Sequence, residues 1–153
     1  MTKTISIGLA AILTSLILLA FNQVAHAAAP LGNKGYDVVS YFDIGEPQEG
    51  LEGFSHEWNG KLWQFTSADH RDFFVADPDK YAPAYDGHCA WAVSKGYTAP
   101  TIPQAWSIVD GRLFLNYSLS VRRDWLEDAE GNITAGDENW PTLKNSLFSR
   151  FGL

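Results

Sequence analysis

Beyond residue 27, four side chains in this sequence can act as soft or borderline metal ligands: His56, His70, His88 and Cys89. The one methionine is Met1, and the fourth histidine, His26, lies in the N-terminal segment. Imidazole and thiolate suit copper, zinc or iron. No two of the four stand at the i, i+4 spacing of a helix face or at the C-x-x-C spacing, so only tertiary packing can bring them together. For each histidine a half-buried place on a strand or helix is an equally ordinary role, and His56 can simply pack on its hairpin neighbours.

Cys89 sits in "AYDGHCAWAVSKGY" (84–97). With Asp86 as an N-cap, a helix over 87–95 holds Cys89 in its first turn, where the helix dipole and free amides stabilise a thiolate. His88 adds positive charge, and the Asp86 carboxylate opposes it. Otherwise Cys89, Ala92 and Val93 form a buried face, a common fate of free cysteine. Three functional readings remain open. A metal-binding or metal-handling accessory, non-enzymatic, needs His56 or His70 close to Cys89. A thiol-dependent redox protein, in which Cys89 would be the catalytic group, needs an exposed sulfur. A structural or interaction module leaves the sulfur buried among apolar groups. No Gly-rich phosphate loop, H-E-x-x-H or G-x-S-x-G is present. Paired carboxylates and tyrosines in "GYDVV" and "AYDGH" fit turn geometry as well as hydrogen bonding. The aromatic residues fit a core better than a ligand pocket in a domain of this size.

The elements that must position these residues follow an export signal. Lys3 precedes an apolar run, Ile5 to Phe21, and then Ala25 and Ala27 in an A-x-A arrangement, the layout of a cleaved signal peptide over 1–27. The apolar run is marginal for a membrane span, which needs about 20 residues, so no stable span is expected after cleavage. Removal of 1–27 takes Lys3 and no acidic residue, moving the formal charge from −7 to −8. An acidic chain argues against nucleic acid as a partner and fits a soluble exported protein, periplasmic or secreted, whose expected partner is a metal ion or an envelope protein. With one cysteine there is no internal disulfide; six Trp, six Tyr and nine Phe supply the core instead.

Residues 28–34 read as a loose tail and 35–153 as one domain with a C-terminal helical extension. "GYDVVSYF" (35–42) reads as a short strand and 43–53 as a loop. Asn59-Gly60 and Asp110-Gly111 each divide two alternating segments and predict type I′ hairpins over 54–65 and 106–117. On the second strand of the first hairpin, the inward set is either Leu62 and Gln64 or Lys61, Trp63 and Phe65. Ser67 predicts an N-cap for a helix packing through Phe73, Phe74 and Ala76 and stopped by Asp77-Pro78. Gly96 predicts a left-handed helix end. Ser118 or Ser120 caps a helix carrying Val121, Trp125 and Ala129, ended by Gly131-Asn132. Leu143, Leu147 and Phe151 predict a last amphipathic helix. Hairpin, helices, hairpin, helices makes a small α+β domain of antiparallel hairpins and packed short helices.

"HEWNGKLWQFTSADHRDFFVADPDKYAP" (56–83) resembles the YHS domain: a hairpin around Asn-Gly, an aromatic strand leading to Phe-Cys-Ser-x-x-Cys, a phenylalanine helix and Asp-Pro-x-Lys-Tyr. Together with "GYDVVSYF", "HCAWAVSKGYTAP", "WSIVDGRLFLNY" and "NWP", it is similar to an exported subgroup of that family over about residues 32–143. The resemblance implies metal binding through cysteines. Here the family's cysteine positions fall on Ser40, Thr66 and His70, so the thiolate site is gone and one ligand position has become an imidazole. Relatives with selenocysteine at the position of Cys89 imply redox chemistry there.

Overall fold

The computed structural model describes residues 28–151, so the signal-peptide reading of 1–27 falls outside the described residues. Among the described residues, two antiparallel hairpins and six α-helices form an α+β domain, as the sequence pattern predicts. The first hairpin pairs β1 (Leu51–Trp58) with β2 (Lys61–Phe65), and its turn holds Asn59 and Gly60 at φ 49° and 71°. The second pairs β3 (Trp106–Val109) with β4 (Arg112–Leu115) around Asp110 and Gly111, at φ 50° and 75°. Positive φ at both central residues matches the right-handed twist of the flanking strands, which is why Asn-Gly and Asp-Gly make these turns.

Trp63 and Phe65 of β2 face inward. They meet Phe74 of α2 (Ala68–Ala76) at ring-centroid distances of 5.1 and 5.2 Å. Ser67 caps α2 by accepting the His70 amide at 3.2 Å. The buried residues of α2 are His70 and Phe74, one turn apart, whereas Phe73 and Ala76 are exposed, so the packing face is rotated from the one expected. Asp77 ends α2 and caps the single-turn α3 (Pro78–Tyr81).

"GYDVVSYF" is not a strand. Residues Gly32–Gly35 form a left-handed turn, Tyr36 makes an isolated bridge to Glu49, and Ser40–Asp43 is a one-turn helix, α1. The Asp37 side chain accepts the amides of Val39 at 2.9 Å and Ser40 at 3.3 Å, which curls the backbone against its β-branched preference. The segment 28–34 is docked instead of loose. The Leu62 amide donates to the Pro30 carbonyl at 3.0 Å, and Gly32 packs so closely that a Cβ there would fall 2.5 Å from Trp63.

A second core lies beyond β4, where Phe114 and Trp125 stack at 5.1 Å with Tyr85, Ala90 and Val93 around them. Here α4 (Ala90–Ser94), α5 (Leu119–Leu126) and α6 (Ala129–Phe151) pack together. Ser118 caps α5 through the Val121 amide, and Gly96 closes α4 at φ 85°. Gly131-Asn132 does not end a helix. The break falls earlier, at Glu127–Asp128, and Asp128 opens α6 by accepting the Gly131 amide at 3.1 Å. The last helix is therefore long, with Pro141 inside it, where the Asp137 carbonyl loses its usual donor.

Candidate functional site

Asp37, between the first left-handed turn and α1, has no solvent exposure and is surrounded by donors. One oxygen takes the Val39 and Ser40 amides. The other takes the Thr66 amide at 2.9 Å, the Thr66 hydroxyl at 2.8 Å and His70 Nδ1 at 2.6 Å. A carboxylate only accepts, so Nδ1 carries the proton. Nε2 points the other way, 3.3 Å from Asp43 Oδ2 at the end of α1. It donates to that carboxylate when the ring carries a second proton; with Nε2 unprotonated both atoms are acceptors, and only a cation between them makes the contact favourable. The His70 side chain is 9% exposed and that of Asp43 65%. A buried carboxylate that fixes an imidazole's tautomer and ring plane is the arrangement that commonly stands behind a metal-ligating histidine.

The other sequence-derived candidates do not join it. Among the described residues, no three His, Cys, Asp or Glu side chains are grouped as a metal cage. The His56 ring lies against Phe74 at 6.4 Å, and the His88 ring against Trp140 at 5.8 Å, in the second core's surroundings. Burial and, after it, the Lys61 charge push the His88 imidazole below its ordinary value. The Cys89-centred metal site, with His56 or His70 close by, is not what the packing builds.

Cys89 itself is 1% exposed. Asp86 does not cap a helix over 87–95. It belongs to a second left-handed turn, Ala84–Gly87, in which Tyr85 and Asp86 have φ of 58° and 53°. The helix starts later, and Cys89 is itself the N-cap residue of α4 without a side-chain cap bond. Its Sγ accepts the Tyr117 amide at 3.3 Å and lies 3.6 Å from Asn116 Oδ1, which also takes the Trp91 amide at 3.1 Å. The sulfur is thus neither the exposed one that thiol redox chemistry requires nor one in purely apolar company. It joins the start of α4 to the end of β4.

Asp37 and Asp43 were not singled out by motif or spacing. They lie 33 and 27 positions from His70 and meet it only through the fold. The local signal for Asp37 is an aspartate followed by amides at i+2 and i+3 in "DVVS", the pattern of an Asx-type turn.

As a donor set, His70 Nε2 and Asp43 fit an open site with two protein ligands and do not fit a closed four-ligand one. Without a thiolate, nitrogen and oxygen donors favour zinc(II), copper(II) or iron(II) over copper(I). No family model matches this chain, and no significant match exists among curated proteins or solved structures. The YHS likeness therefore rests on the motifs themselves. Among the described residues no helix is long and apolar enough to cross a membrane.

Proposed function

We propose that this chain is an exported, non-enzymatic metal-handling protein of YHS type that takes a divalent metal at His70 and Asp43. The observation that carries the reading is the 2.6 Å bond from His70 Nδ1 to buried Asp37, which leaves Nε2 directed at an exposed carboxylate. His70 also stands at a position where the family it resembles has a ligand. Asp37 orients, His70 and Asp43 ligate, and the incomplete set leaves positions for water or a partner's ligand. That suits transient holding and transfer better than permanent storage. Export is supported by the layout of residues 1–27.

Calorimetric titration of the purified, metal-free chain with zinc(II) and copper(II) tests this. One saturable site is expected, lost in His70→Ala and weakened about tenfold in Asp43→Asn, with His56→Ala, His88→Ala and Cys89→Ser unchanged. Affinity indifferent to His70 and Asp43, or governed by Cys89, would overturn the proposal. Binding absent while His70→Ala lowers only the melting temperature would make the Asp37–His70 pair a structural clasp.

A further inference from the structure

A cleft of about 470 Å³ opens between the Asn59 turn of the first hairpin, α3, the Ala84–Gly87 turn and α6. That size is typical of small-molecule sites. Three indoles line it. Trp58 on the hairpin side and Trp140 on the α6 side are half-buried and offer planar apolar surface, whereas Trp63, 4% exposed, belongs to the core behind them. Four cations, Lys61, Lys80, Arg112 and Lys144, share the lining with two carboxylates, Asp79 and Asp86. The chain as a whole has 11 basic and 18 acidic residues, so the cleft inverts the sign of its own protein.

The cations are not equally engaged. Arg112 is held by Asp137 through bonds of 2.9 and 2.8 Å, and Lys144 lies 3.8 Å from Asp86. Lys61 Nζ donates to the Asp86 carbonyl at 3.1 Å, and Lys80 Nζ lies 4.8 Å over the Tyr81 ring. Neither of these two forms an ion pair among the described residues. The carbonyl that holds Lys61 belongs to the left-handed turn. Tyr85 and Asp86 at positive φ are costly for residues with side chains, and such strain gathers where a backbone must be held for a ligand.

We infer that this cleft binds a small aromatic carboxylate, its ring among the indoles and its anion at Lys61 and Lys80. A ring against indole faces gains area burial and stacking. A carboxylate at two ammonium groups that face no carboxylate of the chain gains charge-assisted hydrogen bonds in a partly enclosed space. A cationic ligand meets a lining with four cations against two carboxylates, and a non-aromatic anion forgoes the rings. The site is distinct from His70 and Asp43, which do not line it.

The probes are naphthoate, naphthylmethylamine and cyclohexanecarboxylate, each titrated into the purified chain and followed by the indole N–H resonances. Saturable shifts are expected with naphthoate at Trp58, Trp63 and Trp140 and not at Trp125 or Trp106, with the amine and the saturated acid binding at least about tenfold more weakly. Lys61→Met and Lys80→Met should each weaken naphthoate by about tenfold, the loss of one charge-assisted contact. Because Lys61 also supports the turn, Lys80→Met, an exposed position, decides the matter if Lys61→Met fails to fold. No saturable shift, equal binding of the amine, or an unchanged affinity in folded Lys80→Met would overturn the inference.

Discussion

Alkylation of Cys89 should be slow in the native protein and should track unfolding, because the residue is 1% exposed and its sulfur is bonded to the Tyr117 amide at 3.3 Å. A reagent such as iodoacetamide reaches it only through local opening. Labelling rates measured across a urea series should rise with the unfolded fraction, and fast labelling without denaturant would mean that the end of β4 opens readily around the thiol. The position of Cys89 beside a helix start was legible in the sequence, but its exposure was not. Exposure depends on Asn116 and Tyr117, some 27 residues away, closing over it. The YHS likeness singled out His70 but neither of its carboxylate partners. Asp37 was visible only as one carboxylate beside a tyrosine in "GYDVV", since nothing local tells an aspartate bonded to its own turn from one that also reaches a distant histidine.

At the scale of elements, the readable parts were those whose cause is local. Asn-Gly and Asp-Gly dictate the two hairpins, Ser67 and Ser118 cap their helices, and Asp77-Pro78 separates α2 from α3. The misread parts have causes that are not local. The β-branched "DVVS" looks extended until the buried Asp37 side chain bends it. Gly131-Asn132 looks like a helix end until Asp128 caps the same stretch as a beginning. The hairpin reading has a direct consequence. Gly60 has φ 71°, and nothing lies within 4 Å of where its Cβ would be. Gly60→Val should therefore cost only the backbone strain of a β-branched residue in the left-handed region, about 1–2 kcal/mol, with no steric addition. A urea midpoint unchanged in this variant would show that the turn relaxes to another type at no cost.

Across the whole molecule, two cores share β4. Leu113 and Leu115 face the first hairpin's aromatic cluster, and Phe114 between them faces the α4–α6 cluster. The period of two in a single strand thus joins the halves. The outer half is further fastened by Tyr85, Arg112 and Asp137. The Tyr85 hydroxyl donates to Asp137 Oδ1 at 3.0 Å, and the Arg112 guanidinium forks onto both oxygens of the same carboxylate on α6. The Arg112 hydrogen bonds, and after them the Tyr85 hydroxyl, hold the Asp137 carboxyl below its ordinary value of 3.8. Burial, followed by the bond to Asp137, pushes the Tyr85 phenol above its ordinary 10.0. These two shifts act at opposite ends of the pH scale. A carboxyl with a lowered folded value stabilises the fold above its unfolded value, and that stability is lost as pH falls through the folded one. A phenol with a raised folded value stabilises below its unfolded value, and that stability is lost as pH rises through the folded one. The fastening of α6 should therefore be flat through neutrality and fail at both extremes. In Asp137→Asn the acid limb should disappear. The variant should be less stable than the wild type at about pH 7, by no more than about 1 kcal/mol because the Arg112 and Asp137 side chains are 43% and 45% exposed. The two proteins should converge as the wild-type carboxyl protonates. Urea midpoints measured from neutral pH downward test this. A gap that persists unchanged into acid would mean that Asp137 holds α6 by shape and hydrogen bonding alone, without the charge that the Arg112 fork implies.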